Sequence, residues 1–163
     1  MAKKRELDDT SRGRELVDLA ARVFYEKGFK GATMQNIADA LGIIKGGLYH
    51  YIGSKEDLLY YVIESPHKEA LDLVHECETM GGDVATRLHW LIRGQILKLT
   101  KNYVNWYIFL NDYDSLNIKH KRRLVEERKK YEGYLRSLLE EGRADGTFRS
   151  DLDPSLASLA LLG

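Results

Sequence analysis

Cysteine is nearly absent: Cys77 is the one thiol in 163 residues. A single thiol forms no internal disulfide, which excludes a disulfide scaffold and fits a reducing, cytoplasmic compartment. Proline is scarce too, with only Pro66 and Pro154, so long stretches are free to run as helix. Apolar runs are short. The longest, Leu58 to Ile63 and Leu156 to Leu162, fall far below the roughly 18 residues that cross a bilayer. No apolar core follows the charged segment Met1 to Thr10 to make a secretory signal. Charge of one sign is also missing: 25 basic and 25 acidic side chains cancel, which argues against a chain that coats nucleic acid indiscriminately.

What is present is 44% apolar residues, enough for one domain or two small ones with a buried core. Charge is unevenly spread. From Ala40 to Lys55 there is no carboxylate, while Lys45, His50 and Lys55 fall inside that gap; a phosphate backbone could approach it without repulsion. Lys119 to Lys130 carries seven basic and two acidic residues.

The apolar spacing is helical and no alternating run argues for a strand, so an all-α fold is expected. Leu16, Leu19, Ala20, Val23 and Phe24 form one stripe, ending at Gly28. Leu88, Leu91, Ile92, Ile96 and Leu99 form another, with Trp90 and Leu97 off it, which predicts contacts on two sides of that helix. Leu124, Tyr131, Leu135, Leu138 and Leu139 mark a third, expected to end at Gly142 and the Asp145-Gly146 turn. Ser54 with Asp57, and Asp153 before Pro154, are helix starts. The division expected is a bundle over 1–53 and a larger one over 54–163. The last helix, with an apolar face at Leu156, Leu159 and Leu162, suggests a chain that stops inside its C-terminal bundle, monomeric or aggregation-prone as it stands.

Thr33 to Ile52 carries the functional pattern. Thr33 caps a short helix that buries Ile37 and Leu41; Ala38 stays small for close crossing, Gly42 turns sharply, and Ile43 and Leu48 pin a second short helix. This is helix-turn-helix spacing. It leaves Lys45, Gly46, Gly47, Tyr49 and His50 facing outward, as a helix entering a major groove requires. A plain helical hairpin has the same small-residue spacing.

Gly42 to Leu58 (GIIKGGLYHYIGSKEDL), with Phe29 to Ala38 upstream (FKGATMQNIA), resembles the N-terminal signature of the TetR family of bacterial transcriptional regulators. The resemblance covers roughly residues 14 to 63. It implies a homodimeric, all-helical repressor with an N-terminal DNA-reading bundle and a C-terminal ligand-binding and dimerisation domain. It also implies that Thr33 is a phosphate-contacting cap, Gln35 an occasional base contact, Lys45, Gly47, Tyr49 and His50 the groove-facing set, and Lys55 a phosphate anchor. Tyr51 stays open between a backbone contact and a core position. Two departures stand out: Ile44 replaces a capping Ser or Thr, and Gly47 replaces a Thr, Ser or Asn that commonly touches DNA.

Trp90, Tyr103, Trp106, Tyr107, Phe109 and Tyr113 make 90 to 113 the most aromatic segment. Ordinary core packing explains such spacing; within the family the region resembles the wall of an inducer pocket for a sizeable apolar ligand. Asn111, Asp112 and Asp114 suit either polar contacts or helix capping. The run containing Lys119, Lys121, Arg122, Arg123 and Arg128 reads as a solvated face or as a site for an anionic group. Residues 116 to 162 more loosely resemble the subgroup that governs fatty-acid or steroid catabolism by sensing acyl-coenzyme A, which implies double-stranded operator DNA and an acyl-CoA inducer as partners.

Other classes are poorly served. His67 and His75 have no dense ligand cluster around them, so no metal and no cofactor is expected. No phosphate-binding loop or nucleophile motif appears; a small helical enzyme using Asp112 and Asp114 and a constitutive DNA-binding protein without ligand are the alternatives to a ligand-responsive repressor.

Overall fold

The computed structural model describes residues 11–162, and among them every regular element is a helix. In order these are α1 (Ser11–Gly31), α2 (Met34–Ala40), α3 (Lys45–Leu48), α4 (Lys55–Thr79), α5 (Val84–Lys101), α6 (Tyr103–Asp112), α7 (Ile118–Ala144) and α8 (Pro154–Leu162), with a 3-10 turn at Tyr113–Ser115. The expected all-α class is what is found.

The chain forms two compact units that do not follow a cut at 53/54. One joins Met1–Pro66 to Asn102–Arg122; the other joins His67–Lys101 to Arg123–Gly163. The long helices α4 and α7 each contribute residues to both.

In the first unit α1 packs on α2 and on α6, and α2 on α3. The α1 stripe is buried at Leu16, Ala20, Val23 and Phe24, as are Ile37, Leu48, Ile52, Leu58, Leu59, Ile63 and Ile108. Each fully buried Leu, Ile or Phe side chain among them contributes about 1.5–3 kcal/mol. Gly28, at φ +69° and ψ 153°, breaks α1 where the stripe ends, as expected; one short turn, Phe29 to Gly31, follows across the kink. Edge-to-face contacts of Tyr25 with Tyr107 (5.0 Å) and Tyr103 (6.2 Å) join α1 to α6.

Two polar ties hold α4 in place within this unit. The side-chain amide of Asn105 in α6 donates to the carbonyl of Val62 at 2.8 Å. At the start of α7, Asn117 caps the helix by accepting the His120 amide (2.9 Å), and its own amide donates to Glu56 (2.7 Å). The His120 ring is buried, stacked on Tyr60 at 4.3 Å, with Nε2 3.7 Å from Asp57 and Nδ1 3.9 Å from Glu56.

The second unit has its own apolar cluster: Leu73, Val74 and Cys77 from α4, Val84 and Leu91 from α5, and Tyr131, Leu135, Leu138 and Leu139 from α7. Arg87 of α5 pairs with Glu141 of α7. Three expectations are corrected. Gly142 does not stop α7: it lies buried inside the helix, where a Cβ would stand 2.3 Å from the Phe148 ring. The stop is Gly146, at φ +82°. On α5 only part of the stripe is covered: Ile96, Leu97 and Leu99 are exposed, so two-sided contact does not extend to its C-terminal half. On α8, capped by Asp153 through the amides of Ser155 and Leu156, Leu162 packs on the apolar cluster, and Leu156, Leu159 and Leu161 are the exposed ones.

Candidate nucleic-acid interface

The α2–α3 element is built by three local devices. Thr33 and Asn36 form a reciprocal capping box: the Asn36 amide donates to Thr33 Oγ1 and the Thr33 amide to Asn36 Oδ1, both at 3.1 Å. That fixes where α2 starts. Its end is a Schellman turn, with Ile43 N–H bonded to Ala38 O (3.0 Å) and Gly42 N–H to Asp39 O (3.1 Å). Gly42 occupies the left-handed position at φ +66° that this motif needs. Ala38 and Ile37 are wholly buried beneath the crossing, while Leu41, expected in the core, is only half-buried as the C-cap.

The reading segment itself is short. Ile44 occupies the N-cap of α3 with no side-chain cap bond, and α3 covers only Lys45–Leu48. Two successive glycines explain this: Gly46 and Gly47 each cost a helix about 1 kcal/mol relative to alanine. The next residues form tight turns, His50 N–H to Gly47 O and Tyr51 N–H to Leu48 O. Because the winding changes there, the buried position after Leu48 is Ile52 and not Tyr51. Tyr51 is exposed, which closes the core alternative left open for it.

The residues singled out from the sequence are therefore largely brought together. Thr33, Gln35, Lys45, Gly46, Tyr49, Tyr51 and His50 are exposed, and Gly47 is half-covered, with room for a Cβ in ordinary contact with Ile44. Gln35 is held by its amide donating to Asp39 at 2.7 Å. Lys55 is different: its ammonium is partly buried and donates to the carbonyls of Phe29 (2.7 Å) and Ala32 (2.8 Å), lying 4.4 Å from the Phe29 ring centre.

The aromatic set is divided. Tyr103 and Tyr107 face Tyr25 of α1 and are largely exposed. Trp106, Phe109 and Tyr113 form a row of edge-to-face contacts at 5.6 and 5.3 Å, while Trp90 packs against the apolar cluster of the second unit. Arg122 and Arg123 are exposed; Lys121 pairs with Asp114 (3.2 Å) and lies over the Tyr113 ring. Asn111 bonds the Tyr107 carbonyl. Asp112 faces the Phe29 amide and the cations Lys30 and Lys55; burial outweighs them and raises its carboxyl above the ordinary value.

Sequence reasoning missed His120, Asn117 and Glu56, whose tie crosses sixty residues of chain; the Asn117-x-x-His120 spacing before α7 was its one local sign.

A capped helix, a glycine turn and a short second helix with a carboxylate-free outer face define a helix-turn-helix DNA-binding protein. Residues 16–62 match the model of bacterial regulatory proteins of the tetR family, and residues 81–163 match the tetracyclin repressor-like C-terminal domain. The transcriptional repressor KstR2 of Rhodococcus jostii is 30% identical over 155 residues, spanning 92% of this chain and 76% of that protein. Among solved structures, the TetR family regulator PfmR of Thermus thermophilus superposes with a TM-score of 0.83 at 29% identity, over 90% of this chain and 80% of that one. AibR in complex with isovaleryl coenzyme A and operator DNA superposes with a TM-score of 0.77 at 26% identity, over 92% and 81%. The chain belongs to the TetR family of bacterial transcriptional regulators.

Proposed function

We propose that this chain is a ligand-released repressor acting in the cytoplasm as a dimer. Two copies would place their α3 segments in successive major grooves of a palindromic operator, about 34 Å apart. The observation that carries the reading is the exposed face of α2–α3. Tyr49 and His50 supply hydrogen-bonding tips there, Lys45 supplies charge, and no carboxylate occurs between Ala40 and Lys55.

In this reading Tyr49, His50 and Gln35 touch base edges, while Thr33, Lys45 and Tyr51 hold phosphates. Gly46 and Gly47 let the backbone approach closely. The functional division is 1–53 for DNA and 54–163 for ligand and pairing. The inducer is an acyl-CoA: Trp106, Phe109 and Tyr113 offer an apolar wall, and Arg122 and Arg123 offer cations for the nucleotide phosphates. The similarity to AibR, solved with a coenzyme A thioester and operator DNA, supports both partners. Tyr103 and Tyr107, occupied with Tyr25, stand outside this wall.

Selection from a random duplex library is the test. A palindrome with half-sites one helical turn apart is the expected winner, and the Tyr49→Ala variant is expected to lose it. No enrichment, or the same winner for the variant, contradicts the assignment.

A further inference from the structure

The chain turns from α1 into α2 over Gly28 to Thr33, and three interactions converge there. Gly28, at φ +69°, starts the last turn of α1, closed by Ala32 N–H on Gly28 O at 3.0 Å. Lys55, the first residue of α4, spans the turn with two hydrogen bonds, to Phe29 O at 2.7 Å and Ala32 O at 2.8 Å. Its ammonium also lies over the Phe29 ring, 4.4 Å from the ring centre, and that ring is itself buried edge-on to Phe24 at 5.4 Å. The residue immediately after Ala32 is Thr33, the cap from which α2 starts.

Two of the three ammonium protons are thus committed to main-chain oxygens inside the same chain. Asp112 stands within electrostatic reach as a further counter-charge. A phosphate would have to compete with both carbonyls and with the charge of Asp112. A helix carbonyl bonded by an ammonium is in turn held at one distance from α4, so the position of Thr33 follows from the position of Lys55.

We propose that Lys55 is a positioning residue for operator recognition: it clamps the end of α1 to the start of α4 and sets the origin of the reading helices, and it makes no phosphate contact. The proposal rests on the DNA-binding reading above. Lys55→Met keeps an unbranched side chain of similar length and removes the ammonium, with both hydrogen bonds and the contact over Phe29, so the helix pair is left to wander. Lys55→Arg restores donors to both carbonyls.

Lys55→Met should lower the melting temperature by several degrees and weaken binding to the operator selected by the parent protein about tenfold, with an unchanged slope of log affinity against log salt. Lys55→Arg should recover both. A phosphate contact behaves otherwise: its loss flattens the slope by about 0.9 and leaves the melting temperature alone, and that result overturns the proposal.

Should Lys55→Met fail to fold, amine labelling of the parent decides. A clamped Lys55 reacts more slowly than the exposed Lys30 and Lys45 in the free protein, and its rate does not change when duplex DNA is added. Protection that appears only with DNA overturns the clamp. The melting and labelling of free protein need no operator, so failure of the DNA-binding reading is distinguishable from failure of the clamp.

Discussion

Asn105 donates its side-chain amide to the carbonyl of Val62 at 2.8 Å, and Val62 lies four residues before Pro66 inside α4. That carbonyl is the one Pro66, having no N–H, leaves without its ladder donor. A residue of α6 therefore completes a hydrogen bond that α4 cannot make for itself. Asn105→Ala should cost roughly 1–3 kcal/mol by leaving the acceptor unmet. Pro66→Ala restores the N–H, so the double variant should lose much less than Asn105→Ala alone, with a coupling of about 0.5–3 kcal/mol in urea unfolding. Strict additivity would show that the two residues act independently.

Two glycines of α7 should respond oppositely to the same change. A Cβ at Gly142 would meet the Phe148 ring at 2.3 Å, whereas one at Gly133 meets nothing within 4 Å. Gly142→Ala should destabilise by about 1–3 kcal/mol through displaced packing, and Gly133→Ala should stabilise by about 0.5–1 kcal/mol through helix propensity. Thermal melts of the two variants check the signs.

Acid unfolding separates two carboxylates. Asp83 caps α5 by accepting the Thr86 amide at 2.7 Å, and this bond holds its carboxyl below the ordinary value. Its stabilisation is present above the unfolded pKa near 3.8 and is lost as pH falls through the lower folded value. Asp112 is raised by burial, so its contribution is full below about 3.8 and fades as pH rises through the raised folded value. Asp83→Asn should therefore weaken the protein most at neutral pH. Asp112→Asn should strengthen it there, with both differences shrinking toward acid. Urea titrations across that range, giving the reverse order, would contradict the assignment.

Base contact and charge should also separate. Tyr49→Ala or His50→Ala is expected to cost about 1–3 kcal/mol on the selected operator and little on random duplex. Lys45→Ala is expected to weaken both alike and to flatten the salt slope by about 0.9. Anisotropy titrations at several salt concentrations read all three.

The helix-turn-helix was legible because its signals are local: Thr33 three before Asn36, and Ala38 four before Gly42, fix both helix ends through neighbours in sequence. The sequence alone does not place Tyr51, because the Gly46-Gly47 pair unwinds α3 and shifts the period that helical spacing assumes. Gly142 misled because a glycine near a helix end serves equally as a stop or as room for a ring, and Phe148 decides it from outside the helix. The places taken by Lys55, Asn105 and His120 depend on partners 26, 43 and 63 residues away, such as Phe29, Val62 and Asp57. No periodicity encodes such pairs.

Release of operator DNA by a coenzyme A thioester is read by a fluorescence-anisotropy titration of the operator complex. Long-chain acyl-CoA should release the labelled duplex at lower concentration than the matching free acid, because only the thioester brings phosphates to Arg122 and Arg123. Replacing both arginines by Ala should remove that advantage without changing DNA affinity. If acid and thioester act alike on the parent protein, or if neither releases the duplex, the basic start of α7 is a solvated face and the account of the inducer is wrong.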